Sequence, residues 1–262
     1  FDLDPYFREL EDMLVQELDY VQEAVNLEEM RRLFGGEPHI TIPRYIPACS
    51  TERVLTMEMA QGMSLDEFLA REPSQEVRDR AGWCLVTLIW LGFLKYRVLH
   101  ADPQAGNFLF GEDGSVVLLD YGCIKRFEEP FIADYCRALR AHQELDSDGV
   151  IEAYIDVGYM HGDAGERTRQ ALWEIADIYA RPIARDRVYT FGSESLAERG
   201  KEYAMTHPAC FNLRPPQASV YLHRTLVGAY FVLCRMGASG NYYRALREVL
   251  DDVQGRQEPT GS

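Results

Sequence analysis

The sequence predicts an α+β fold, with a small first lobe of one helix and two strands followed by a larger, mostly helical lobe. Three observations carry that expectation. Residues 5–34 keep an apolar rhythm of about 3.6 residues. Two strand-like pieces, 40–46 and 53–59, come next, and a hairpin pattern lies within 107–120. Beyond Phe127 nearly every segment between Gly, Pro and Asp/Asn breaks reads as helix.

In the first helix Leu10, Met13, Leu14, Leu18, Val21, Ala24, Val25 and Leu27 form the apolar stripe, and Gly35-Gly36 stops it. The strands 40–46 and 53–59 are joined by the turn Cys49-Ser50-Thr51-Glu52. Ala60-Gln61-Gly62 breaks the pattern. Ser64 then N-caps a short helix, and Glu67 completes a capping box. A strongly apolar helix over 74–96 delivers the chain into the loop that begins at His100. Further helices are expected over 130–145, 148–159, 165–180, 193–206, 216–236 and 242–253. The implied division is a first-lobe remnant over 1–59, a second lobe over 60–255 and a polar tail over 256–262.

A net charge of −15 opposes binding to nucleic acid or anionic lipid through general electrostatics, while leaving room for a local phosphate pocket. The six cysteines are scattered, with no C-x-x-C pair and no zinc-ligand spacing, so they read as reduced thiols. The most apolar stretch, 83–93, is too short to span a bilayer, and nothing reads as a signal peptide.

Chemistry concentrates in two segments. His100-Ala101-Asp102-Pro103-Gln104-Ala105-Gly106-Asn107 is followed by Asp120-Tyr121-Gly122, with the strands 107–110 and 116–120 between them around the turn Glu112-Asp113-Gly114. This is the spacing of a kinase phosphoryl-transfer site, in which His-x-Asp-x-x-x-x-Asn supplies a base and a metal ligand and Asp-aromatic-Gly a second ligand. ATP phosphates bridged by Mg2+ require hard oxygen ligands, which Asn107 and Asp120 provide. Asp102 lies where a carboxylate would orient an attacking hydroxyl and accept its proton. His100 reads as a brace for the loop. Gly122 is expected to permit a sharp turn beside the metal. The plain alternative is a surface loop with a His and two turn-forming Asp residues.

Glu17-Leu18-Asp19-Tyr20-Val21-Gln22-Glu23-Ala24, the segment 50–58, His100-Ala101-Asp102-Pro103 with Gly106-Asn107, and Tyr221-Leu222-His223-Arg224 together resemble the UbiB/AarF group of atypical kinases, over nearly the whole chain. The resemblance implies a protein-kinase-like fold and an ATP-dependent phosphotransferase or ATPase, with ATP and Mg2+ as cofactors and a role in ubiquinone or other isoprenoid-lipid metabolism. It makes Asp102, Asn107 and Asp120 catalytic, with Asn107 and Asp120 on the metal. Glu23 becomes the glutamate that pairs with the ATP-binding lysine, and Glu17 and Asp19 the Glu-x-Asp motif. Met57 becomes the gatekeeper, with Glu58, Met59 and Ala60 as the hinge facing adenine. Implied partners are a nucleotide and an isoprenoid lipid or lipid enzyme, with no nucleic acid and with any membrane association lying in parts outside these residues. The implied location is the cytoplasm, peripheral at a membrane, or the mitochondrial matrix in a eukaryote.

Other readings of single features stay open. Asp19 and Glu23, one helical turn apart, also fit a solvated acidic face. His223-Arg224 on an apolar helix reads as a structural pair. Gln104, Ala105 and Tyr121 depart from the group's commoner residues without removing a base or ligand. The three lysines, Lys95, Lys125 and Lys201, all follow the first helix, and no glycine-rich nucleotide loop is present. The expectation is therefore a fragment of a longer protein that binds nucleotide weakly or not at all by itself. A soluble-alcohol phosphotransferase and a non-catalytic scaffold are the competing functions.

Overall fold

In the computed structural model, which describes residues 19–257, helix α1 runs over Tyr20–Phe34. Asp19 is its N-cap: the backbone there is non-helical (φ −87°, ψ 77°) and the carboxylate accepts the Gln22 N–H at 2.9 Å. The helix carrying Glu23 thus starts at Tyr20, where the apolar rhythm alone predicts continuation through Asp19; the rest of the expected helix, with Glu17, lies outside the described residues. α1 buries Ala24, Leu27, Met30 and Phe34 at helical spacing.

The two expected strands are mostly absent. Only β1 (Ile40–Thr41) forms, and residues 44–58 are held by single bridges, Tyr45 to Met57 and Thr51 to Val54. Pro43 and Pro47 supply no N–H to a ladder, and Pro47 instead opens a 3₁₀ turn, Pro47–Cys49. The Thr56 N–H turns to the Ser50 hydroxyl (2.9 Å), so a side chain replaces a strand partner.

Helix α2 (Leu65–Ala70) has the expected capping box: Glu67 N–H donates to Ser64 Oγ at 3.3 Å, and Ser64 N–H to Glu67 Oε2 at 2.9 Å. Helix α3 (Gln75–Trp90) widens into a π-helical turn, Leu91–Tyr96, and ends at Arg97 in the left-handed region (φ 58°). A Cβ at Gly92 would sit 2.6 Å from the Val98 carbonyl oxygen, so the chain can fold back this tightly only over glycine.

Four short strands follow. β3 (Phe108–Phe110) and β4 (Val116–Leu118) form the expected antiparallel hairpin, with Phe108 opposite Leu118. β1 joins it in parallel beside β4, giving the order β1-β4-β3. β2 (Val98–His100) pairs antiparallel with β5 (Ile124–Arg126), a ladder the sequence did not announce. Helices α4 (Glu129–Glu144), α5 (Ser147–Val157), α6 (Glu166–Ala180), α7 (Leu196–Thr206), α8 (Gln217–Met236) and α9 (Tyr242–Gln257) make the rest, near their expected bounds. A two-residue ladder, β6 (Tyr189–Thr190) with β7 (Ser239–Gly240), ties the segment after α6 to the turn between α8 and α9. This is the α+β arrangement expected of a kinase-like chain.

One hydrophobic core runs from Leu27 and Phe34 of α1 to Leu250 and Val253 of α9. At its centre the fully buried Phe93 meets Phe127 and Tyr135 edge-on, at 4.9 and 5.3 Å between ring centroids. Truncating such a ring to Ala typically costs about 3–5 kcal/mol. Among the described residues no helix is long and apolar enough to cross a membrane.

Candidate active site

The loop after β2 is fixed at its root. His100 is buried on β2, opposite Ile124, and the next amide, Ala101 N–H, donates to the Cys123 carbonyl at 2.8 Å. The His100 Nε2 lies 2.9 Å from the Asp120 carbonyl oxygen. A carbonyl only accepts, so Nε2 carries the proton. Burial pushes the His100 pKa down, against the charges of Asp120 and Asp102, which keeps the ring neutral. As expected, it braces.

A 3₁₀ turn, Ala105–Asn107, swings Asn107 back onto the start of its own loop. Its Nδ2 donates to the Asp102 carbonyl oxygen at 3.0 Å and to Asp102 Oδ2 at 2.9 Å. Those two acceptors fix the amide's orientation and leave Oδ1 without a hydrogen-bond partner among the described residues. The Leu119 N–H donates to the Asn107 carbonyl at 2.9 Å, so Asp120 is the residue after the one opposite Asn107 across the hairpin. Asp120 Oδ1 accepts the Gly122 N–H at 2.8 Å. Asp102 and Asn107 are therefore in direct contact, and Asp120 follows just past the end of the strand paired with the one that Asn107 leads into.

The chain bends at Gly122, as expected, but without the left-handed backbone that only glycine favours. Gly122 also serves as an amide donor to Asp120. Tyr121 is fully buried and gives its hydroxyl proton to the Leu118 carbonyl (2.5 Å), so the hydroxyl that departs from the commoner Phe is satisfied. The Tyr121 carbonyl accepts from Asn26 Nδ2 at 2.8 Å, and Arg126 reaches both Asn26 and Glu29.

Glu23 accepts the Tyr121 N–H at 3.2 Å, so α1 is latched to the Asp120 segment. Burial, and then the charge of Asp120, raise the Glu23 pKa against the help of that hydrogen bond. No Lys or Arg side chain pairs with Glu23 among the described residues. Asp19 points elsewhere, into its cap.

The segment expected to be a hinge runs along the same sheet. Met57 is half-buried against the core, and Glu58 ties back to Arg44, by N–H to carbonyl at 2.9 Å and by carboxylate to Nε at 2.9 Å. Met59 is 87% exposed, and neither Met59 nor Ala60 makes a backbone hydrogen bond among the described residues. Met63 then pairs with Phe110 through two backbone bonds, so this segment abuts the strand that follows Asn107.

Sequence reasoning missed what α8 contributes. Arg224 Nη2 donates to Asp102 Oδ1 at 2.7 Å, whereas its neighbour His223 makes the expected structural bond, to the Tyr159 hydroxyl at 2.6 Å. Thr225 Oγ1 donates to the Tyr221 carbonyl of its own helix at 3.0 Å, with the His100 carbonyl as a longer second acceptor at 3.4 Å. A Cβ on Gly228 would lie 2.3 Å from Pro103 Cγ. Gly228 and Ala229, one turn beyond Arg224 and Thr225, were the available signal: paired small residues in an otherwise bulky helix mark a close approach.

Among the described residues no cluster of three or more His, Cys, Asp or Glu could cage a metal. Magnesium with a nucleotide needs less. One or two protein oxygens suffice, with water and phosphate filling the octahedron, and Asn107 Oδ1 with the second Asp120 oxygen fits that demand.

The ABC1 atypical kinase-like domain matches residues 1–154. The chain is 29% identical over 252 residues to the mitochondrial atypical kinase COQ8B of Rattus norvegicus, covering 94% of this chain and 46% of that protein. It is 24% identical over 239 residues to the mitochondrial atypical kinase COQ8 of Saccharomyces cerevisiae, covering 89% and 47%. It thus spans under half the length of these relatives. A solved chain from the Rv3197–erythromycin complex of Mycobacterium tuberculosis superposes with a TM-score of 0.72 at 20% identity, covering 95% of this chain and 62% of that one.

Proposed function

The chain belongs to the ABC1 atypical kinase-like family, and from that premise we propose that it forms the catalytic part of a magnesium-dependent ATP phosphotransferase or ATPase. The observation that carries this reading is the Asn107 amide. Its nitrogen binds Asp102 on one side, while its oxygen accepts no hydrogen bond among the described residues. One side chain thus couples the Asp102 carboxylate to an oxygen available to a metal.

Asn107 and Asp120 would hold the magnesium, which would supply positive charge to offset the negative charge developing on transfer. Asp102 orients the acceptor, a hydroxyl or a water, and takes its proton. Gly122 N–H holds one oxygen of the Asp120 carboxylate. Glu23 awaits a cation: its raised pKa and its lack of a basic partner among the described residues suit pairing with a lysine from elsewhere in the protein. Met57 backs the adenine pocket, and Glu58 leads into Met59 and Ala60, whose unbonded backbone groups meet its edge.

The ubiquinone or isoprenoid-lipid role draws its support from the relatives named COQ8, and the mitochondrial matrix location from the word mitochondrial in those names. Glu17 and Asp19 keep the Glu-x-Asp role as part of this proposal. The test is Asp120→Asn in the full-length protein. Magnesium-dependent ATP turnover should be abolished, and turnover at the wild-type rate overturns the reading.

A further inference from the structure

Asp102 is held from two sides by donors of very different origin. Asn107, five residues on, donates to Oδ2; Arg224, 122 residues on, donates to Oδ1. The last torsion of an aspartate is a broad, soft rotor, so one hydrogen bond leaves the carboxylate plane free to swing. Two donors on opposite oxygens fix it. Between Asp102 and Asn107 the loop has no Lys or Arg of its own, so the fixing cation comes from outside the motif.

We infer that Arg224 is a positioning residue for the reaction, holding the Asp102 carboxylate in the plane from which it meets the acceptor. The inference rests on the reading of Asp102 given above. The helix that delivers Arg224 is itself fixed to the loop. Thr225 reaches the His100 carbonyl as its longer second acceptor, and Gly228 lies so close to Pro103 that no side chain fits between them. The guanidinium is thereby placed by backbone packing on both sides, the condition for a precise catalytic geometry.

A purely structural ion pair makes a different forecast. Arg224 is half-exposed, and pairs of that kind add little to stability. If holding the fold were its purpose, removing it would be nearly silent in every assay. A positioning role predicts a nearly silent melt together with a kinetic defect, because small misplacements of reacting groups cost up to about 100-fold in rate.

The experiment compares wild type, Arg224→Gln and Arg224→Lys in the full-length protein, following magnesium-dependent ATP turnover and thermal melting. Arg224→Gln should lower kcat by about 10-fold to 100-fold, leave KM for ATP within about two-fold and leave the melting temperature nearly unchanged. Arg224→Lys should recover part of kcat, since an ammonium can donate to one oxygen but lacks the planar fork. Wild-type kcat in Arg224→Gln overturns the inference. So does a rise in KM for ATP matching the loss of kcat, or a kcat loss that tracks a lowered melting temperature in both variants. Turnover that survives Asp120→Asn is the separate result that removes the kinase reading, and this inference with it.

Discussion

Glu23 and Tyr121 are 98 residues apart in sequence, yet the Glu23 carboxylate accepts the Tyr121 backbone N–H at 3.2 Å. The contact joins the first helix to the segment that carries Asp120. It also sets Glu23 near a like charge, which together with burial raises its pKa.

Replacing Glu23 therefore separates two effects. Glu23→Ala strands a partly buried N–H and should cost about 1–3 kcal/mol in urea unfolding. Glu23→Gln keeps an acceptor and removes the charge beside Asp120, so its stability should stay within about 1 kcal/mol of wild type. Equal losses in the two variants would show that the latch is not the hydrogen bond.

Gly228 tests how closely α8 must approach the catalytic loop. An added methyl would meet Pro103 Cγ at 2.3 Å, well inside contact distance. Gly228→Ala should destabilise by about 1–3 kcal/mol through overpacking and lower ATP turnover of the full-length protein. Gly36→Ala is the control, because its methyl meets nothing within 4 Å and Gly36 lies far from the loop in sequence. Thermal melts of the two variants that coincide would refute the steric argument.

Acid should unfold the protein partly through His142. This ring is buried, stacks on Trp173 at 5.9 Å, and its Nδ1 has no partner among the described residues. Burial pushes its pKa down to about 4, while an unfolded histidine titrates near 6.5. Below about pH 6.5 the unfolded chain binds the proton first, so stability falls as pH drops and the loss levels off near pH 4. The full effect is about 3 kcal/mol. His142→Phe should flatten chemical-denaturation stability across that window; an unchanged slope would assign the acid sensitivity to other groups.

Much of this was legible in the sequence because it is local. The capping box at Ser64 and Glu67, the hairpin on either side of Glu112–Gly114 and the run of second-lobe helices each depend on residues within a turn or two. The expected strands failed where Pro43 and Pro47 sit, a signal that was present and underweighted beside the β-branched residues around them. β2 and β5 escaped notice because three residues show no alternation and their pairing spans two distant segments. The bend at Gly122 was legible, but the bond from its amide to Asp120 was not, since nothing in the residue type announces it. Arg224 was hidden for the most basic cause: nothing within a helix tells which loop, 122 positions earlier, its side chain will meet.

That separation has a consequence during synthesis. A ribosome adds about 5–20 residues per second, so the brace on Asp102 follows its loop by roughly 6–24 s. Through that interval the nascent loop has its asparagine but not its arginine. A chain terminated before α8 would hold the whole motif and still lack its final strut, so premature stops would yield products with an unfinished centre.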